Sequence, residues 1–290
     1  MNSLKQTIAT LGLSSLLAFA PVLNLADSVS RQAVYAMTEA QAFERLSSIP
    51  VFALTDDKGA PLLAQIPQQA NRPQSEVKQL MVFFLSPEDA QAALDQVRRR
   101  NPNVANKARI SVTSFNEAYK VIKANKDKTL GFEFVPSRAS LESARALVKA
   151  QGRNENDIPP LPVFFAVSGT GNQQGLLMIE AEGQQTVPFF FDQRDLQALL
   201  DRARQQQPNI ARDVRIQVTS LYQVIDSMVT KDNKPNPEAA KFQFVPARTA
   251  FEYAMRNNPN PGRPASPAPA TPNQRPAATP SPAPSPAVPR

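Results

Sequence analysis

The chain has 290 residues, a formal net charge of +7, 28 prolines, and no cysteine, histidine or tryptophan. Without histidine the usual general base near neutral pH and the commonest metal ligand are missing; without cysteine, so are thiolate chemistry and sulfur-held metals. The charge is no nucleic-acid footprint: Arg263, Arg275 and Arg290 sit in an acid-free tail, Lys5, Arg31 and Asp27 at the N-terminal end, and the body between them is nearly balanced.

Residues 1–36 read as an export signal. Lys5 is the positive end, Ile8 to Ala20 a short apolar core broken by Pro21, and Val34-Tyr35-Ala36 a small-residue cleavage site. That core is shorter than the ~20 residues of a membrane-spanning helix. An uncleaved anchor or an organelle transit peptide is the alternative. No later segment is apolar enough to span a bilayer, so no transmembrane anchor is expected in the mature chain.

The body then says nearly the same thing twice. Phe83 to Ser114 returns as Phe189 to Ser220 without a gap, Pro50-Val51-Phe52-Ala53 is answered by Pro162-Val163-Phe164-Phe165, and Phe132-Glu133-Phe134-Val135-Pro136 by Phe242-Gln243-Phe244-Val245-Pro246. A period near 110 residues suits a small domain, not a solenoid. The expected fold is α/β (α+β): two pseudo-symmetric halves from an internal duplication, residues 37–155 and 156–256, each a mixed sheet with packed helices.

Each half reads as three strands, then helix, strand, helix, strand, helix. In the first half, Val51 to Leu54 is a strand, Asp56 to Gly59 a turn, Leu62 to Ile66 a return strand, Pro67 to Lys78 an inserted loop, and Leu80 to Leu85 an apolar strand. Ser86 caps the next helix, with Pro87 at its first position and Asp89 three residues past the cap. Ala90, Ala93, Leu94 and Val97 make its buried face; the second copy uses Leu196, Leu199, Leu200 and Ala203, so small residues on one copy answer large ones on the other. Strands come next at Arg109 to Thr113 and Arg215 to Thr219, then capping-box patterns at Ser114 with Glu117 and Ser220 with Gln223. The final helices carry Leu141, Ala144 and Val148, and Phe251 with Ala254. In the second half the chain turns at Ser168 to Gly175 and returns through a strand at Leu176 to Ile179. From Asn257 to Arg290 twelve of the residues are proline, a composition that cannot bury enough apolar surface to order itself.

Candidate chemistry is thin. The glycine-rich run Gly169 to Gly175 lacks the following helix that a dinucleotide loop requires, so it reads as a turn. Glu180 with Glu182, and Asp56 with Asp57, have no converging partners in sequence and read as solvated surface. Arg98-Arg99-Arg100 complements a helix C-terminus and is not repeated in the second copy. The 16 phenylalanines are the richest resource. Adjacent phenylalanines on a strand point to opposite faces. If helices cover one face only, the other is an apolar groove; if both are covered, these residues are core. Phe52, Phe84, Phe164 and Phe190 are the candidate contacts for an extended client, because their neighbours can serve the core. No cofactor, metal or catalytic residue is expected, and the chain is not expected to be an enzyme.

The doubled set of (Ile/Leu)-Pro-Val-Phe strand starts, acidic-capped helices after an apolar strand, Val-Thr-Ser steps and Phe-x-Phe-Val-Pro strands resembles a soluble component of the chloroplast inner-envelope translocon and its cyanobacterial relatives, over roughly residues 37–255. The resemblance implies a periplasmic chaperone-like protein that assists transport or assembly of outer-membrane proteins. Its partners would be unfolded or extended outer-membrane or precursor proteins, and the outer-membrane assembly machinery. The thylakoid lumen and the plastid intermembrane space are the alternative locations. The alternative function is a non-catalytic envelope adaptor that docks a folded partner and is placed by its proline-rich tail.

Overall fold

The computed structural model describes residues 37–66, 77–101, 107–169, 174–181, 183–206, 213–229 and 237–257. Residues 1–36, expected to be an export signal, most of the Pro67 to Lys78 insertion, Glu182 and the residues beyond Asn257 lie outside them. Asn257 itself is the last residue of a helix.

The first half runs α1 (Glu39–Glu44), β1 (Pro50–Thr55), β2 (Ala64–Gln65), β3 (Gln79–Phe84), α2 (Pro87–Arg100), β4 (Arg109–Ser114), α3 (Phe115–Ala124), β5 (Leu130–Val135) and α4 (Arg138–Ala150). The second runs β6 (Pro162–Ser168), β7 (Gly175–Leu176), β8 (Ile179–Ala181), β9 (Gln184–Phe190), α5 (Gln193–Gln206), β10 (Arg215–Ser220), α6 (Leu221–Met228), β11 (Phe242–Val245) and α7 (Arg248–Asn257). The expected return strand at Leu176 to Ile179 is split: β7 pairs with β6 and β8 with β9. The expected strand at Leu62 to Ile66 shortens to β2.

The duplication is visible strand by strand. The first sheet has the order β4-β1-β3-β5 and the second β10-β6-β9-β11, each with two antiparallel pairs and a parallel last pair. The register is equivalent too: Phe52 pairs with Phe84 and Val112, and Phe164 with Phe190 and Val218. Even the loop hydrogen bonds repeat. The Ile49 carbonyl accepts from the Phe115 N–H at 2.8 Å, and the Leu161 carbonyl from the Leu221 N–H at 2.9 Å.

Local chemistry starts the helices where the sequence signals it. Ser86 Oγ accepts from the Asp89 N–H at 3.1 Å, and Ser114 Oγ from the Glu117 N–H at 3.1 Å. In the second copy Ser220 accepts from the Tyr222 N–H while Gln223 Oε1 accepts from the Ser220 N–H. The short α1 also has a capping box, Thr38 with Gln41, and buries Ala42 and Phe43. It packs on both α3 and α6, bridging the halves.

The two halves are interlocked by their last helices. α4 of the first half packs on β6 and β10 of the second, and α7 of the second packs on β1 and α2 of the first. Each exchanged helix starts under an aspartate of its own half's first long helix: the Arg138 N–H donates to Asp89 Oδ2 at 3.0 Å, and the Arg248 N–H to Asp195 Oδ2 at 2.8 Å. The inner faces of both sheets, with α1, α3 and α6, share one apolar cluster that includes Val51, Phe83, Phe115, Val163, Phe189 and Leu221. A second cluster joins α4 and α5 to the outer face of the second sheet. A cavity lined by Leu85, Ser140, Leu161, Pro162 and Phe191 lies where the halves meet, but its volume of about 10 Å³ holds no more than one water.

Candidate functional site

Residues directly opposite across a strand pair share a face. The registers therefore put Phe52, Leu54, Phe84, Ile110 and Val112 on the outer face of the first sheet, and Phe164, Ala166, Phe190, Ile216 and Val218 on the outer face of the second. All four candidate phenylalanines thus lie at equivalent outer positions. They are not equally accessible. Phe52 and Phe164 are 0% exposed and Phe190 6%, whereas Phe84 is only partly buried. Three of the four are core residues in this state. Of the two arrangements the sequence leaves open, the outer faces follow the covered one: each receives two helices, one of its own half and one exchanged.

The size differences between the repeats become complementary in this exchange. The first outer face is covered by α2, which offers Ala90 and Ala93, and by α7, which offers Tyr253. The Tyr253 ring meets Phe52 edge-on with centroids 5.3 Å apart. The second outer face is covered by α5, with Leu196 and Leu199 at the positions of Ala90 and Ala93, and by α4, with Ser143 at the position of Tyr253. Small helix meets large helix on each sheet.

The cover is unequal at one end. α4 has 13 residues and α7 has 10. The extra turn of α4 starts at the fully buried Val148, which closes the second outer face together with Leu147 and Ile158. That turn ends in a glycine cap: Gly152, at φ +69°, lets the Arg153 N–H reach the Val148 carbonyl at 3.1 Å. In the first half the repeat places Asn257 and Asn258 where α4 has Leu147 and Val148, and Pro259 comes next. As a result Val112 is partly exposed where Val218 is 7% exposed, and Phe84 partly exposed where Phe190 is buried. Val82 is likewise more open than its counterpart Pro188. The helix that ends here also carries Phe251 and Met255, 40% and 45% exposed and one turn apart on one flank. On the same helix Ala250 and Ala254 are buried.

The first outer face is therefore a partly open apolar surface beside an edge strand. Among the described residues β4 pairs only with β1. The sequence signal for this opening was available in the repeat alignment, as the asparagines and proline standing where α4 continues. The other candidates are structural. Asp56 Oδ1 accepts the Lys58 and Ala60 N–H groups at 2.9 and 2.8 Å, closing the β1–β2 turn. Arg98 pairs with Asp95 at 3.1 Å on the exposed side of α2. Gly169 has φ +91° and is followed, beyond residues outside the description, by β7, not by a helix.

Burial pushes the Asp195 carboxyl above its usual range, and the Arg248 N–H pulls it back in part. At α1 the Tyr119 hydroxyl and Lys123 hold the Glu39 carboxyl below its usual range, and Lys123 Nζ lies 3.3 Å from Glu39 Oε2. Tyr119 stacks on Phe43 with centroids 3.6 Å apart, so this polar cluster sits over the ring that anchors α1.

The chain is 24% identical over 189 residues to the Protein TIC 22-like, chloroplastic, of Arabidopsis thaliana, covering 64% of this chain. It is 24% identical over 151 residues to the Protein TIC 22, chloroplastic, of Pisum sativum, covering 52% of this chain. It spans about half the length of these curated relatives, 54% of each. Anabaena Tic22, whose description reads protein transport, has a similar fold: TM-score 0.62 and 23% identity, over 76% of this chain and 97% of that one. Tic22 from Plasmodium falciparum gives a TM-score of 0.56 and 25% identity, over 75% and 98%. The Tic22-like family matches residues 1–255, nearly the whole chain ahead of the proline-rich tail, and the chain belongs to that family.

Proposed function

We propose that this chain is a periplasmic, non-catalytic, chaperone-like protein that assists transport or assembly of outer-membrane proteins by holding extended apolar segments of unfolded clients. The observation that carries the reading is the partly open outer face of the first sheet around Phe84 and Val112, beside the edge strand β4. An extended client adding to β4 would gain main-chain hydrogen bonds and lay alternate side chains over Ile110 and Val112. The second half, closed by the longer α4, would serve as the rigid base. Family membership and the protein-transport description of Anabaena Tic22 support the reading. An export signal, as expected for residues 1–36, would favour the periplasm.

The test is binding of a fluorescent, extended segment from an outer-membrane β-barrel protein. Phe84→Ser should weaken binding by about tenfold, roughly 1.4 kcal/mol, while circular dichroism stays native. Unchanged affinity with a native spectrum would remove this face as the client site.

A further inference from the structure

We infer that α7 is a displaceable lid, and that the client site continues beneath it to Phe52, where an aromatic side chain of an extended client takes the place of Tyr253. The register carries the geometry. Val112, Phe52 and Phe84 lie directly opposite one another on β4, β1 and β3, so they form one apolar strip across three strands of the first outer face. Both ends of the strip, Val112 and Phe84, are partly exposed, while Phe52 between them is fully buried. The Phe52 ring meets the Tyr253 ring edge-on, a contact that any aromatic side chain can reproduce.

The two exchanged helices are not held alike. α4 is anchored at both ends. Its Ser140 hydroxyl donates to the Phe191 carbonyl of the other half, and Gln151, which caps its end, donates from Nε2 to Gln217 Oε1 at 2.7 Å. Ala144 and Val148 are fully buried, and the short turn Glu155–Asp157 packs against the helix. At the position of Ser140, α7 has Ala250, which has no hydroxyl to donate. The end of α7 closes on itself, with Asn257 Nδ2 donating to the Tyr253 carbonyl at 2.8 Å. Its buried residues are two alanines, Ala250 and Ala254, while Phe251 and Met255 are exposed. The aspartate at its start favours release too. Burial holds the Asp195 carboxyl above its usual range, so lifting α7 returns the ionised group to water. A shut lid lowers the apparent affinity by the fraction that is open, so loosening it tightens client binding. Loosening a purely structural helix does not. The client half of the inference rests on the function proposed above; the unequal hold on α7 does not.

The test is amide hydrogen exchange and binding on the full chain. The Phe251 to Ala254 amides are compared with their equivalents, Leu141 to Ala144; the Phe251 and Leu141 N–H groups make the first turn's bonds in each helix, both at 3.0 Å. Without client, the α7 amides should exchange at least about 100-fold faster, by a local opening that low denaturant does not promote. The probe is an extended segment of an outer-membrane β-barrel protein with one phenylalanine, and the same segment with alanine there. The phenylalanine segment should speed α7 exchange further; the alanine segment should not. Tyr253→Ala, with a native circular dichroism spectrum, should bind the phenylalanine segment roughly fivefold tighter, because it removes the ring contact that holds the lid shut. Ala250→Ser, which restores the hydroxyl that anchors α4, should slow α7 exchange and weaken the segment. Equal protection of α7 and α4 would overturn the inference. Segment binding with α7 exchange unchanged, and equal affinity for the natural chain and Tyr253→Ala, would overturn it and leave the proposed function standing. Fast α7 exchange with no segment bound by any version would sink the proposed function and, with it, the latent site at Phe52.

Discussion

Phe84 and Phe190 occupy equivalent positions in sequence, strand and register, yet one is partly exposed and the other buried. Truncating each to alanine measures the inequality of the two faces. A fully buried Phe→Ala change costs ~3–5 kcal/mol, from lost transfer energy and the cavity left behind. Phe190 is 6% exposed inside the cluster closed by α4 and α5, so about 3–4 kcal/mol is expected. Phe84 keeps part of its surface in water, and its neighbours can relax toward the gap, so about half of that is expected. With a urea slope of about 2.5 kcal/mol/M for a body of this size, the midpoint should fall by roughly 1.4 M for Phe190→Ala and roughly 0.7 M for Phe84→Ala. The assay is equilibrium unfolding followed by circular dichroism, with the slope checked for constancy. Equal losses, or a Phe190→Ala loss below about 1 kcal/mol, would refute the unequal cover.

Other outcomes come from the same geometry. Gly152→Ala places a Cβ on a backbone at φ +69° and should cost about 1 kcal/mol through strain in the α4 cap, read as a lower urea midpoint. Burial raises the Asp195 carboxyl above 3.8, so the folded state holds this proton more tightly than the unfolded chain does. Its contribution is therefore present at low pH and lost as pH rises through the raised value. Relative to Asp195→Asn, which keeps an acceptor for the Arg248 N–H but does not titrate, the natural chain should lose stability over the interval just above pH 3.8. Parallel pH–stability curves for the two would contradict this. Phe43→Ala should cost roughly 3–4 kcal/mol, because the ring is buried between Phe115 and Tyr119, and should increase hydrogen exchange in α1. Glu39→Gln removes a solvent-exposed ion pair with Lys123 and keeps an acceptor for the Tyr119 hydroxyl, so it should leave α1 protected.

The duplication, the order of helices and strands and most helix starts were legible in the sequence, because they are written locally. Ser86-Pro87, Ser114 and Ser220 announce helices through their own hydrogen bonds, and Ile110 with Val112 alternate as a strand must. The exchange of α4 and α7 was not legible, since nothing within a half says which sheet its last helix will cover. That exchange overturns the reading of the phenylalanines: Phe52 and Phe164 look spare while only their own half is counted. Its trace is nonetheless present as the swapped sizes of Ala90 with Leu196 and Ser143 with Tyr253, which make sense only across halves. α1 escapes a sequence reading because six residues carry too little periodicity, although the Thr38 and Gln41 box is in plain view. The split of the expected strand at Leu176 to Ile179 reflects two partners, β6 and β9, competing for one short segment.

Aggregation protection tests the central claim most directly. A urea-unfolded outer-membrane β-barrel protein is diluted into buffer with the natural chain, with Phe84→Ser, or with an inert protein of similar size, and light scattering is followed. The account predicts suppression near stoichiometric amounts by the natural chain, and a loss of suppression on Phe84→Ser with the fold intact. Scattering equal to that with the inert protein would contradict a direct chaperone and turn attention to a folded docking partner in the envelope.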